Sequence, residues 1–167
     1  DLKQIQISSA IDLFSKGEIN QALDAVQDLL KDYPNEPVLF NIKGACYADL
    51  GQLDVAVTNY KEAITIKPDY AKAHFNLAGS LHDLGQLETA VQSYQKAIEI
   101  DASYAEAYNN LGNVYQELKQ VDSAVQSYQK ALEIKPDYVA AQYSLGNTFM
   151  ELGQLEEAVK SYKAALK

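Results

Sequence analysis

The octapeptide AVQSYQKA occurs at residues 90–97 and again at 124–131, 34 residues further on. Other segments keep the same step. LGQL stands at 50–53, 84–87 and 152–155, with LKQV at 118–121 in the slot between. KPDY stands at 67–70 and 135–138, with DASY midway at 101–104. Ala22, Ala56, Ala90, Ala124 and Ala158 follow one another at the same interval, with no insertion or deletion. A strict period of this size constrains the fold more than any single motif. One such unit is too small to bury its own apolar face, so neighbouring units must stack to close a core. The phase divides the chain into 3–36, 37–70, 71–104, 105–138 and a shorter last unit, 139–167.

Each unit reads as two helices. In the fourth, Ala107, Leu111, Tyr115 and Leu118 lie on one helical face, predicting a helix over about 105–118. Val121, Ala124, Val125, Tyr128, Ala131 and Leu132 predict a second over about 122–135. Gly51, Gly85 and Gly153 sit where the first helix ends, and glycine there takes the left-handed conformation that closes a helix. Pro34, Pro68 and Pro136 stop the second helix. The expectation is an all-α chain of about ten antiparallel helices. The eighth residue of each unit is small (Ala10, Gly44, Ala78, Gly112, Gly146), and we expect it to face the alanine series on the opposing helix. Tyr60, Tyr94, Tyr128 and Tyr162 are then expected at the flanks. Four units depart from the pattern: the first has Ser9 and Lys16 and the second Lys43 where leucine is usual, and two more changes fall at the helix ends. Lys119 stands where the others carry glycine, predicting a left-handed lysine or a reshaped turn, and Ala102 replaces the stop-signal proline.

The set Leu111, Gly112, Tyr115, Ala124, Tyr128, Ala131 and Pro136, repeated in register along nearly the whole chain, resembles the tetratricopeptide repeat. The resemblance implies one array over 1–167, wound as a right-handed superhelical α-solenoid. It also implies a groove that binds an extended peptide or partner protein, lined by the second, fifth, sixth, ninth, twelfth and thirteenth residues of each unit. From this stripe we select Asn41, Lys72, Phe75, Asn76, Glu106, Asn109, Asn110, Asn113, Tyr143 and Asn147 as candidate groove residues. Asparagine offers both a donor and an acceptor to a peptide backbone whatever its side chains are. Asn76 and Asn110 are similar in placing to the asparagine ladder in the repeat region of O-linked N-acetylglucosamine transferase, although Ser8, Ile42 and Ser144 interrupt it. Solvated asparagines on an exposed face give a plainer account of the same residues. Substituting Asn76 and Asn110 by alanine is expected to weaken peptide capture with little change in melting. The family's other mode, a clamp for carboxylate tails, does not match: its lysine and asparagine positions hold Ile7, Ile11 and Ile42, or Asn41, Ala45 and Glu106. Asp49, Asp83, Glu117 and Glu151 recur at the thirteenth position. The partner is therefore expected to be neutral or basic rather than acidic.

Charge narrows the classes further. The chain carries net charge −9 and no arginine, which argues against a nucleic-acid partner. No apolar run reaches the roughly 18 residues of a membrane span. A lone cysteine, Cys46, and the lack of a charged-then-apolar leader fit a cytoplasmic setting. Cys46 is expected to be a small buried side chain. His74 and His82 have no metal-ligand neighbours at the usual spacing; His74 is expected to pack and His82 to lie at the surface. No phosphate loop or nucleophile motif appears, so we expect neither cofactor nor catalysis. The chain starts at Asp1 and stops inside a second helix, where Val159, Tyr162 and Leu166 are expected to lie bare, with Ile7, Ile11 and Phe14 crowding the other end. That leads to the expectation of a segment of a longer protein whose uncapped ends self-associate. The expected function is a non-catalytic interaction scaffold. The alternatives are a substrate-recruiting arm of a larger enzyme, such as a glycosyltransferase or a bacterial multidomain enzyme, and an element that assembles head to tail.

Overall fold

A computed structural model describes residues 2–166. Among these residues there are ten α-helices and no strand: α1 Leu2–Ser15, α2 Ile19–Asp32, α3 Pro37–Asp49, α4 Leu53–Ile66, α5 Ala71–Asp83, α6 Leu87–Ile100, α7 Ala105–Glu117, α8 Val121–Ile134, α9 Val139–Glu151 and α10 Leu155–Ala165. From α3 onward the first helices start at 37, 71, 105 and 139, and the second helices start at 19, 53, 87, 121 and 155. The sequence period is therefore a period of helix starts. The helices form two compact units, α1–α5 ending at Gly85 and α6–α10 beginning at Gln86.

In the first unit α1 packs on α2 and α3, and α3 packs on α4 and α5. Ile7, Ala10, Ala22, Leu23, Val26, Leu29, Leu39, Ile42 and Cys46 form its buried cluster. In the second unit α7 packs on α6, α8 and α9, and α9 packs on α8 and α10. Ala124, Tyr128, Leu145, Phe149 and Ala158 are buried together there. All five alanines of the 34-step series are fully buried.

The small eighth residue has a different partner from the one expected. A Cβ built on Gly44 would lie 2.6 Å from Cε1 of Tyr60. On Gly112 it would lie 2.6 Å from Tyr128, and on Gly146 it would lie 2.7 Å from Tyr162. The tyrosine ring is thus laid flat against the bare helix backbone rather than held at the flank. In these three repeats glycine makes room for the ring; the first repeat has Ala10 with Val26 at the tyrosine position, and the third has Ala78 with a fully buried Tyr94.

The two departures at the helix ends keep the repeat geometry by other means. Gly51 has φ 73°, and the N–H of Gln52 reaches back to the Tyr47 carbonyl at 2.8 Å. Lys119 adopts φ 59°, and Gln120 makes the same bond to Tyr115 at 2.8 Å. The left-handed lysine is therefore real, at a cost of about 1–2 kcal/mol relative to a relaxed backbone. At Ala102 the missing proline is replaced by a local turn. Asp101 Oδ1 accepts from the Ser103 N–H at 2.9 Å and from its hydroxyl at 2.6 Å.

Candidate ligand clefts

The first unit contains a cleft of about 670 Å³ that follows α3 over its length. Val38, Asn41, Ile42, Ala45, Ala48 and Asp49 form its floor. Ile11, Phe14 and Ser15 of α1 form one wall, Lys72 and Asn76 of α5 the other, with Tyr60 and Tyr70 completing it. The middle of the cleft is apolar because Ala45 and Ala48 are short and the Tyr60 ring, itself 3% exposed, lies behind them. Asp49 and Lys72 are both exposed, one at the last residue of α3 and the other at the start of α5.

Asn41 and Asn76 meet in this cleft. Asn76 Nδ2 donates to Asn41 Oδ1 at 3.0 Å, and Asn41 is 7% exposed. Losing the Asn76 amide would strip a buried oxygen of its donor, at about 1–3 kcal/mol. The expectation that Asn76→Ala leaves melting nearly unchanged is corrected accordingly. Asp49 acts on the cleft wall electrostatically. Burial, and then the Asp49 charge, push the Tyr60 phenol well above its ordinary range. The same two causes push the Cys46 thiol up to about 11. Cys46 is buried, free and protonated.

The equivalent place in the second unit is smaller, about 290 Å³, and polar. Asn113, Gln116, Glu117, Tyr128, Ser144, Asn147, Thr148 and Glu151 line it. Here the tyrosines are tethered. Tyr128 donates its hydroxyl to Asn113 Oδ1 at 2.8 Å, and Tyr162 donates to Asn147 Oδ1 at 2.6 Å. Each asparagine accepts through Oδ1, so its Nδ2 group is not engaged in that bond. Gln116 donates to Glu151, and Thr148 donates its hydroxyl to the Ser144 carbonyl at 2.8 Å. Burial pushes the Tyr128 phenol up to about 12, a hydrogen bond with Ser144 works against it, and Glu151 and Glu117 add to the rise.

The remaining candidates are scattered. Phe75 is half-buried on α5 and Glu106 is exposed on α7. Asn109 is 5% exposed; its Nδ2 donates to Asn110 Oδ1 at 3.2 Å, and its own Oδ1 is buried without a partner. Asn110 is half-buried beside it. Tyr143 is exposed, its ring tilted against Tyr162 at 5.9 Å. His74 does more than pack: its Nε2 lies 3.0 Å from the Pro68 carbonyl. Gln142, at the equivalent place, donates to the Pro136 carbonyl at 2.7 Å. Sequence reasoning missed Ile11 and Phe14 as cleft residues and placed them on an end face. It also missed Ala45, Tyr60 and Tyr70. The signal was present for Ile11, Phe14 and Ala45, which occupy the ninth and twelfth positions of the stripe, but a search for polar groups passes over apolar ones. Among the described residues no cluster of histidine, cysteine and carboxylates could hold a metal ion. No helix among them is long and apolar enough to cross a membrane.

Paired helices, glycine-seated tyrosines and a shared stripe of inward residues define a class, and comparison with known proteins agrees. The chain belongs to the tetratricopeptide repeat family, whose models match residues 44–84, 79–119, 105–138 and 127–160. The crystal structure of MamA is similar over 94% of this chain and 92% of its own, at 30% identity and TM-score 0.85, which makes the fold an all-α helical-repeat solenoid. The peroxisomal targeting signal receptor of Candida glabrata is 30% identical over 76 residues, 46% of this chain and 13% of the receptor. Hsp70-Hsp90 organizing protein 2 of Arabidopsis thaliana is 34% identical over 59 residues, 35% of this chain and 10% of that protein. The chain therefore spans a small part of either curated relative.

Proposed function

We propose that the chain is a non-catalytic interaction scaffold that holds an extended segment of a partner protein in the clefts along its first helices. The observation that carries this reading is the cleft on α3, a concave, largely apolar surface with a few fixed amides at its edge. The family supports it too, since two relatives are named as a targeting-signal receptor and as an organizer of Hsp70 and Hsp90. The ligand is neutral or basic. Asp49, Asp83, Glu117 and Glu151 are all exposed at one repeat position, and a carboxylate tail would meet repulsion there. Asn113 and Asn147, steered by their tyrosines, offer N–H donors to backbone carbonyls.

Capture on an array of capped peptides tests this reading. Retained binding of neutral and basic peptides, lost on Asn113→Ala with Asn147→Ala or on filling the α3 cleft, is the expected outcome. Equal capture by the wild-type chain and by both kinds of variant would end the proposal.

A second reading, self-association, is favoured by one feature. Val139, Met150, Leu155 and Val159 on α9 and α10 are each roughly half exposed. Under that reading, light scattering finds mass rising with concentration, and Val159→Lys with Leu155→Lys abolishes the rise. A constant monomer mass at all concentrations would rule it out.

A further inference from the structure

We propose that the α3 cleft selects an internal peptide segment that carries one large apolar side chain, with a basic residue two or three positions away on the Asp49 side. This rests on the peptide-binding reading above and assigns the ligand's chemistry to one place. Three observations combine.

The first is shape. Ala45 and Ala48 open the middle of the cleft, and Ile11, Phe14, Ile42 and Tyr60 surround the opening. A side chain the size of leucine or phenylalanine fits a space of that apolar character and leaves water on insertion.

The second is hydrogen bonding. The bond from Asn76 Nδ2 to Asn41 Oδ1 fixes both amides. It leaves Asn41 an N–H₂ group to donate and Asn76 a carbonyl oxygen to accept. One donor beside one acceptor is the complement of a peptide group, and a plain hydrocarbon ligand would leave both without use.

The third is charge along the axis. Asp49 is the last residue of α3, so its charge stands at the negative end of the helix dipole. Its charge reaches Tyr60 in the cleft wall and Cys46 buried in the core beneath. From Ile42 or Ala45 to Asp49 the helix rises roughly 6–10 Å. An extended chain advances about 3.3 Å per residue, so this is a step of two or three residues. A basic side chain at that spacing sits beside Asp49 when the anchor is seated, whereas an acidic one is repelled.

The direction this implies is particular. The segment follows α3 rather than passing from repeat to repeat across the asparagines. No free terminus is called for, because the cation at the far end of the cleft belongs to a side chain.

The test uses acetylated and amidated peptides of about eight residues, built on glycine, serine and alanine, with one leucine and one lysine two positions on. Binding is followed by ¹⁵N amide shifts of the whole chain. Shifts clustered at Ile11, Ala45 and Asp49 are expected, with Asn113 and Asn147 still. Replacing the leucine by serine is expected to weaken binding at least about tenfold, and replacing the lysine by glutamate about three- to tenfold at low salt. Asp49→Lys is expected to reverse the lysine–glutamate preference. Ala45→Trp fills the cleft and removes binding of the leucine peptide. Its folding is checked by circular dichroism, and Ile11→Ser, on a different helix and a partly exposed site, provides a second blocked cleft.

If the leucine peptide binds but Ala45→Trp and Ile11→Ser bind it equally well, with shifts confined to α7 and α9, this inference fails and the broader reading stands. If neither this peptide nor any member of a capped array binds, both fail.

Discussion

The two clefts occupy equivalent repeat positions and yet differ in kind. In the first unit the ninth and twelfth residues of α3 are Ala45 and Ala48; in α7 they are Asn113 and Gln116. Short side chains leave about 670 Å³ with an apolar middle. Longer amides fill the equivalent space, anchor Tyr128 by its hydroxyl and leave about 290 Å³. The hairpin frame is the same in both, with a buried alanine and a tyrosine laid on a glycine. Recognition surfaces in this molecule therefore vary independently of the frame that carries them. The frame is set by residues that face the opposing helix, and the clefts by residues a third of a turn away.

The strongest way to break this comparison is to attack the shared frame in both units. Ala56→Leu and Ala124→Leu put a bulky group at fully buried sites, and each is expected to cost about 1–3 kcal/mol, read as a lowered urea midpoint. A large loss in one unit with none in the other would show that the frames are not equivalent.

The next effect concerns the tether. Asn113→Ala removes the acceptor of the Tyr128 hydroxyl and is expected to lose about 1 kcal/mol. Ala45→Asn, the reverse change in the first unit, is expected to cost less than that, since it offers the Tyr60 hydroxyl, already bonded to Ser80, a second partner at the equivalent place. If Asn113→Ala melts like wild type, the tether contributes nothing and the polar cleft is mere solvation.

The turns sharpen the comparison further. Lys119→Gly relieves a left-handed lysine and is expected to gain about 0.5–1 kcal/mol, and Gly51→Lys to lose a similar amount. Thermal melts of the two single variants, moving in opposite directions, would bear this out.

A further expected effect is alkaline and bears on both units. Tyr128 holds its proton up to about 12 when folded, and Cys46 up to about 11 from an ordinary 9.0. Unfolded tyrosine gives up its proton near 10. Above these unfolded values the unfolded chain binds fewer protons than the folded one, so stability falls as pH rises through about 9–12. A denaturation midpoint that climbs over that range would contradict the burial of both groups. Consistent with the same burial, Cys46 is expected to react with a thiol reagent only on unfolding.

Most of the frame was legible in the amino-acid order. The 34-residue step is physically a repeat of helix starts, and glycine or proline at a helix end shapes the local backbone wherever it stands. Lys119 marks the limit: the sequence left a left-handed lysine and a reshaped turn both open, and its φ of 59° decides for the first. The partner of the small eighth residue was not legible. Alanine and tyrosine both recur with the period, and periodicity cannot tell which of two equally spaced residues touches a third. Nor was the buried state of Asn41 and Asn109, because a helical wheel gives a direction around one helix and not the depth of the neighbour beside it.

The order of residues alone determined the family, the helix pairs, the turns and the stripe from which clefts are built, because these follow from spacing and backbone preference within one repeat. Only the tertiary structure decided which stripe residues meet: that Asn41 holds Asn76, that Ile11 and Phe14 wall the cleft on α3, and that Asn113 is bound to Tyr128. Those contacts join side chains from different helices, and their distances depend on how closely the helices pack, which no local pattern encodes.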